Sequence, residues 1–395
     1  MYCFLSGSYG HGGGAQTIQV LLFKSLTQRG EKCKLFDVKD GSVHLTFLET
    51  NIPFEFIEID KPRSKKDYSK FLQDDDLLIV FDTNLFNNLL YFSNSNCKIL
   101  VWEIFYPWVD HFIPNLYLPI KWYTRQQEEL ILREIVRNNA FFFIDYMGKE
   151  ATERRLKISI SDDYYLPIPI EMPLGDNLKK APDSNVSISY VGRSVNWKIN
   201  PFIHILRDFK KIKSPDLVKY IVVCDDTSLF KAELEKKFDA YNDIPIQFFE
   251  KLTLEQLNHV LEKSDLHFAM GAAALDGAKL GIPTILIDAS YSDFPEDYKY
   301  RWVFETEKLN LGKMLKADTI SYDGKHTLEE VILDLKMNWT TISLKCREYV
   351  EMNYGLGKIT DEIVNYKKSA RLTWMPFRNL FINRYLKILR RFGIR

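Results

Sequence analysis

The chain has 395 residues, enough for two or three domains that each bury a core of their own. Hydrophobic residues make up 46% and charged residues 27%, an ordinary soluble profile, and no uncharged apolar run approaches the roughly 18 residues of a membrane-spanning helix. Bases and acids balance at 53 each, but after Glu362 come nine bases and no acid, leaving 44 bases against 53 acids in the body. That segregation argues against a nucleic-acid enzyme and points to an anionic partner for the tail alone.

In chain order, apolar strands are expected near 2–6, 33–38, 54–59, 77–81, 98–104 and 141–145, with helices between them, notably over 14–29 and 121–138. Runs such as LLIVF (77–81) are apolar throughout rather than alternating, as parallel strands covered on both faces should be. A thinner polar stretch over 171–185 carries two prolines and a glycine and reads as a linker. The alternation restarts with strands at 186–193, 219–226, 246–250, 266–271 and 282–288. We therefore expect two doubly wound α/β domains, 1–170 and 186–355, followed by C-terminal helices over 356–395. Cys3, Cys33, Cys97, Cys224 and Cys346 make no CxxC pair and read as reduced. A first strand beginning at residue 2 leaves no space for a signal peptide, so a cytoplasmic protein is expected.

Four segments can carry chemistry. The first is the opening loop, SGSYGHGGGAQ. Gly10-x-Gly12-x-x-Ala15, with Asp37 closing the next strand, fits a dinucleotide fingerprint. Alternatively, Gly12, Gly13 and Gly14 let the backbone pass close to a diphosphate, with the helix N-terminus aimed at it. The plainest reading is a tight strand-to-helix turn. The second segment is YVGRSVNWK, where Arg193 and Lys198 flank a helix start after Gly192. Two cations there can neutralise a diphosphate, Arg gripping two oxygens and Lys acting as a point charge; otherwise both are ordinary surface cations.

The third is SDLHFAMGAAALDGAKLGIPTILID. Gly271 and Ala272 open a short helix whose amides can receive phosphate oxygens. Asp276, one turn deeper, can accept from ribose hydroxyls or be a simple exposed helix residue. The fourth is the tail over 376–395, where Phe377, Leu380, Phe381, Tyr385, Ile388, Leu389 and Phe392 make one helical stripe and the bases lie mostly elsewhere. It reads either as a helix packed back onto the first domain or as an amphipathic attachment to an anionic membrane surface.

The order and spacing of GGGAQ, VGR…K and LDGAKLGIPTILID resemble glycosyltransferases of the GT-B fold, in particular the large retaining family that builds bacterial surface polysaccharides. The resemblance covers residues 1 to about 360, and residues 139–171 resemble that family's strand, helix and closing strand just before the interdomain linker. It implies two Rossmann-like parallel-sheet domains facing a cleft. It also implies transfer of a sugar from a nucleotide diphosphosugar to a glycan or lipid-linked acceptor, with no cofactor and no metal ion. Arg193 and Lys198 would then hold the donor diphosphate, Asp276 the ribose, and Gly12, Gly13 and Gly14 would close over the phosphates. Two departures stand out. The family's sugar-contacting glutamate, eight residues before the ribose carboxylate, is here Phe268, and its first-domain histidine has no clear counterpart. His111 is the candidate catalytic group, with Glu103 and Asp110 as alternatives. A nucleotide-sugar epimerase of the same architecture and a noncatalytic nucleotide-sugar-binding protein are the competing readings. Attachment at the inner face of the cell membrane follows from the tail.

Overall fold

A computed structural model describes residues 1–6, 14–48, 52–59, 67–81, 92, 95–104, 129–130, 132–174, 186–212, 217–238, 244–315 and 323–375. The chain divides into two compact units, Met1–Pro169 with Leu356–Arg395, and Ile170–Gly355.

The first unit is built on six parallel strands: β1 (Tyr2–Leu5), β2 (Cys33–Asp37), β3 (Glu55–Glu58), β4 (Leu77–Phe81), β5 (Lys98–Glu103) and β6 (Phe141–Phe143). Their order is β3-β2-β1-β4-β5-β6, so the connections run one way from β1 and the other way from β4. All residues of β1 and β4 are buried, which is why both read as unbroken apolar runs. Helices α1 (Gly14–Gln28), α2 (Ser42–Leu48) and α3 (Tyr146–Leu156) follow β1, β2 and β6. The expected strand over 141–145 ends at Phe143, because Asp145 turns into an N-cap whose carboxylate accepts from the Met147 and Gly148 amides.

The second unit has α4 (Asn196–Ile212), α5 (Thr227–Lys237), α6 (Leu254–Leu261) and α7 (Ala272–Lys279) among strands β7 (Val186–Val191), β8 (Leu217–Cys224), β9 (Ile246–Glu250), β10 (Leu266–Ala269) and β11 (Thr284–Leu286). A short pair, β12 (Ala289–Ser290) and β14 (Met314–Leu315), lies apart from the main sheet. With β13 (Arg301–Trp302) at one edge, the main sheet runs β13-β11-β10-β7-β8-β9. Its one departure from the parallel pattern is β13, antiparallel to β11. Arg301 is fully buried and gives both guanidinium NH2 groups to Asp288, at 3.1 and 2.8 Å. The two edges of this unit's chain meet where the Ile170 amide donates to the Tyr354 carbonyl at 2.7 Å.

The long helix α8 (Leu328–Tyr354) starts at a capping box formed by Thr327 and Glu330. It ends at Gly355, and α9 (Leu356–Ser369) returns the chain to the first unit. Ser25 on α1 bonds Thr360 on α9 at 2.8 Å, Arg29 pairs with Asp361, and Ile359 and Ile363 join the first unit's core. Residues 372–374 then run along β5: the Ile99 amide donates to Leu372 and the Trp374 amide to Cys97. The tail helix expected over 376–395 lies outside the described residues.

Candidate functional site

The reversal of strand order in the second unit falls between β7 and β10, and ligands of open α/β sheets bind outside the carboxyl ends of the strands at such a point. Val191 pairs with Ala269 across that boundary. The step after β7, with Gly192, Arg193 and Lys198, therefore leaves the sheet beside the step after β10, with Gly271 and Ala272. Two segments 78 residues apart in sequence, judged by the Ser189–His267 bond, are brought together by topology.

Arg193 is exposed and Lys198, in the first turn of α4, is half-buried. The backbone of this turn is well anchored. Gly192 donates to Val223, the buried Tyr190 hydroxyl donates to the Lys198 carbonyl, and the Ser194 amide donates to Asp225 Oδ1 at 2.6 Å. The Ser194 hydroxyl donates to the Asp226 carbonyl at 2.6 Å. Burial first, and then repulsion from Arg193, push the Lys198 ammonium down to about 8, against the attraction of Asp225. Its Nζ lies 5.2 Å from the centre of the Trp197 ring. Burial works against ionisation of Asp225, yet the Ser194 donors and Arg193 hold its carboxyl below the usual range. One carboxylate thus stands beside two cations that repel each other, an arrangement an incoming anion relieves.

Gly271 adopts φ +64° and ψ −148°, a region essentially reserved for glycine. It precedes α7 with no side-chain cap, so among the described residues no side chain claims the first amides of that helix, and Ala272 beside it is exposed. His267 holds this step to the sheet. It is fully buried, and burial pushes its imidazole down to about 4, keeping it neutral. Nε2–H donates to the Ala273 carbonyl at 3.0 Å, which leaves Nδ1 to accept from the Ser189 hydroxyl at 2.8 Å. Gly277 allows the contact: a Cβ there would lie 2.4 Å from His267 Cδ2. Gly277→Ala should therefore destabilise the second unit by about 1–3 kcal/mol, as overpacking does. A melting curve would show this as a drop of roughly 2–4 °C per kcal/mol for a unit of this size.

Asp276 is partly buried and accepts from Lys279 Nζ at 2.7 Å; the Lys279 side chain is itself almost wholly buried. Phe268 lies within β10, fully buried, with Phe209 and Tyr300 against its ring at 6.1 and 5.9 Å. It is part of the core.

In the first unit the reversal falls between β1 and β4, and β1 is the strand that precedes the glycine-rich segment in the chain. Gly14 begins α1; Gly12 and Gly13, like His111 and Asp110, lie outside the described residues. Glu103, at the end of β5, is fully buried against α3, where a Cβ on Gly148 would fall 2.0 Å from its Oε2. The dinucleotide reading of the opening loop loses its ribose acid. Asp37 is fully buried and its carboxylate accepts from the Val38 and His44 amides, at 2.9 and 3.1 Å, which fixes the start of α2. Sequence reasoning missed Ser194, Asp225, His267 and Lys279. Only Asp225 carried a signal, as an acid at the carboxyl end of an apolar strand. Among the described residues no three His, Cys, Asp or Glu side chains gather as a metal-binding group, and no helix is long and apolar enough to cross a membrane.

No family model matches the chain, and no curated protein matches it in sequence. Solved structures do match. A glycosyltransferase from Rickettsia africae ESF-5 superimposes with a TM-score of 0.61 at 12% identity, covering 93% of this chain and 98% of its own. Alr3699/HepE from Anabaena, in complex with UDP and glucose, gives 0.57 at 13% identity over 93% and 99%. The lipopolysaccharide outer core galactosyltransferase WaaB gives 0.52 at 12% identity over 98% and 99%. The chain shares the two-unit α/β fold of these glycosyltransferases, as the motifs around residues 12–16, 191–198 and 275–288 implied.

Proposed function

We propose that the protein is a glycosyltransferase that moves a sugar from a nucleotide diphosphosugar to an acceptor hydroxyl. The observation that carries this reading is that, at the second unit's strand reversal, the step bearing Arg193 and Lys198 and the step opening α7 at Gly271 follow neighbouring, paired strands. Similarity of fold to glycosyltransferases supports it, one of them solved with UDP and glucose. As the glycosidic bond breaks, negative charge grows on the departing diphosphate, and preorganised cations and amides act on that developing charge. Arg193 and Lys198 supply the cations, the first turn of α7 the amides, and the loop at Gly12, Gly13 and Gly14 a further set of backbone donors. The acceptor's proton passes to a first-unit group, for which His111 is our candidate, or to the leaving phosphate itself.

The direct test is to mix the protein with nucleotide sugars and follow release of nucleoside diphosphate. Release with transfer or slow hydrolysis supports the reading. A changed sugar still bound to its nucleotide marks an epimerase, and no reaction with any donor marks a binding protein.

Asp276 is assigned to the donor ribose. Because Asp276→Ala would also strand the buried Lys279 ammonium, Asp276→Asn is the better probe. It should weaken nucleoside diphosphate binding by roughly 1.5–3 kcal/mol, the range of charge-assisted hydrogen bonds, while inorganic pyrophosphate binding changes little. Equal weakening of both ligands, or of neither, removes Asp276 from the ribose.

We assign residues 376–395 to an anionic membrane surface, which would bring the protein to a lipid-linked or growing polysaccharide acceptor. Each base near such a surface contributes about 1 kcal/mol, so five or six suffice for reversible attachment. A chain ending at Met375 should keep nucleotide binding and lose sedimentation with anionic liposomes at low salt. Equal sedimentation of the two chains would withdraw the assignment.

A further inference from the structure

We infer that the second unit carries another binding site, for a phosphorylated monosaccharide, in a cavity on the flank of α4. The cavity has a volume of about 620 Å³, within the ~300–1,000 Å³ typical of small-ligand pockets. Its basic wall is made by Arg207, Lys210 and Lys211 from the last turns of α4 and by Lys237 from the end of α5. These α4 residues lie 9–13 positions beyond Lys198, about 14–20 Å along the helix axis, so this is not the site at the strand reversal.

Three features match the chemistry of a sugar phosphate. The first is cation density: among the described residues four bases face the cavity against two carboxylates, Asp293 and Glu296, while the acids that pair with Lys211 and Lys237, namely Asp208 and Glu233, lie outside its lining. The second is preorganisation. Arg207 is held by Asp293 at 3.3 Å and by the Lys237 carbonyl at 3.1 Å, and Lys237 donates to Asn200 Oδ1 at 2.9 Å. Lys210 has no carboxylate partner among the described residues; its Nζ sits 5.8 Å from the Phe238 ring, free to meet a phosphate. The third is an aromatic floor. Phe238 and Phe294 line the cavity and are largely buried, Phe294 held by a stack on His204 at 4.7 Å, so the ring atoms they leave at the cavity give apolar surface for the C–H side of a sugar ring. Asp293, beside Arg207, and Glu296 are both exposed, and their remaining carboxylate oxygens can accept from sugar hydroxyls. A bare phosphate would leave the floor and these acids unused.

The test is equilibrium dialysis of radiolabelled glucose 6-phosphate against the full chain at fixed ionic strength. The proposal requires saturable binding that falls at least tenfold in Lys210→Glu and in Arg207→Ala, and stays within twofold in Arg193→Ala. Unlabelled glucose should not compete, and inorganic phosphate should compete only weakly. Lys210 is exposed, so Lys210→Glu should retain the parent melting temperature and its affinity for UDP, which separates this site from the proposed donor site. Non-saturable uptake, unchanged affinity in Lys210→Glu, or loss of binding in Arg193→Ala would each overturn the proposal.

Discussion

Arg193→Ala and Lys198→Ala should each lower turnover by about 10²–10³-fold, the loss expected when one preorganised donor to a developing charge is removed. Neither change should unfold the second unit, because the turn is held by the Gly192, Ser194 and Tyr190 bonds and not by these side chains. Lys198 also makes the effect depend on pH. Its ammonium titrates at about 8, so the charged form that greets a diphosphate is full below that value and lost above it. Affinity for nucleoside diphosphate should therefore fall as pH rises through about 8. Lys198→Arg, with a guanidinium charged throughout, should bind with a flat profile over the same range. Normal turnover in either alanine variant would remove that residue from the mechanism.

A chain ending at Gly355 should fail to fold its first unit, whereas one ending at Met375 should fold both. The shorter chain exposes the surface now covered by Ile359, Ile363 and Trp374, all fully buried, each worth about 1.5–3 kcal/mol. It also loses the Tyr366 hydroxyl bond to the Ile99 carbonyl at 2.6 Å and two backbone bonds, from the Ile99 amide to Leu372 and from the Trp374 amide to Cys97. Set against a typical stability of about 5–15 kcal/mol, that loss is decisive. Limited proteolysis should digest residues 1–169 of the shorter chain and spare 170–355. Two protease-resistant units in the shorter chain would show that the return of α9 is dispensable.

Much of the fold was legible because parallel strands buried on both faces, such as LLIVF and IVVC, announce themselves as short apolar runs. What escaped was held by distant partners. Arg301 and Trp302 form a two-residue edge strand because Arg301 meets Asp288, and nothing within two residues of Arg301 predicts that. Likewise α9 belongs with α1 through Ser25, Arg29 and Thr360, more than 300 residues apart in the chain. At the site, cations and glycines were visible as residue types at strand ends. The groups that position them were not: Ser194 and Asp225 bond across neighbouring loops, and His267 reads as an ordinary strand residue until Gly277 is seen against its ring. Asp37 shows the converse failure, since an acid closing the second strand fits a ribose as well as it fits the start of α2, and only the His44 amide decides.

Central to the account is a nucleoside diphosphate held at Arg193 and Lys198, and a thermal-shift screen of nucleoside diphosphates tests it most directly. A ligand that binds only the folded state at 100 times its dissociation constant adds about 2.7 kcal/mol, which for a unit of this size is a rise on the order of 5–10 °C. We expect such a rise with at least one nucleoside diphosphate, and its loss in Arg193→Ala with an unchanged melting temperature in the absence of ligand. No shift with any of them, or a shift equally large in Arg193→Ala, would contradict the account.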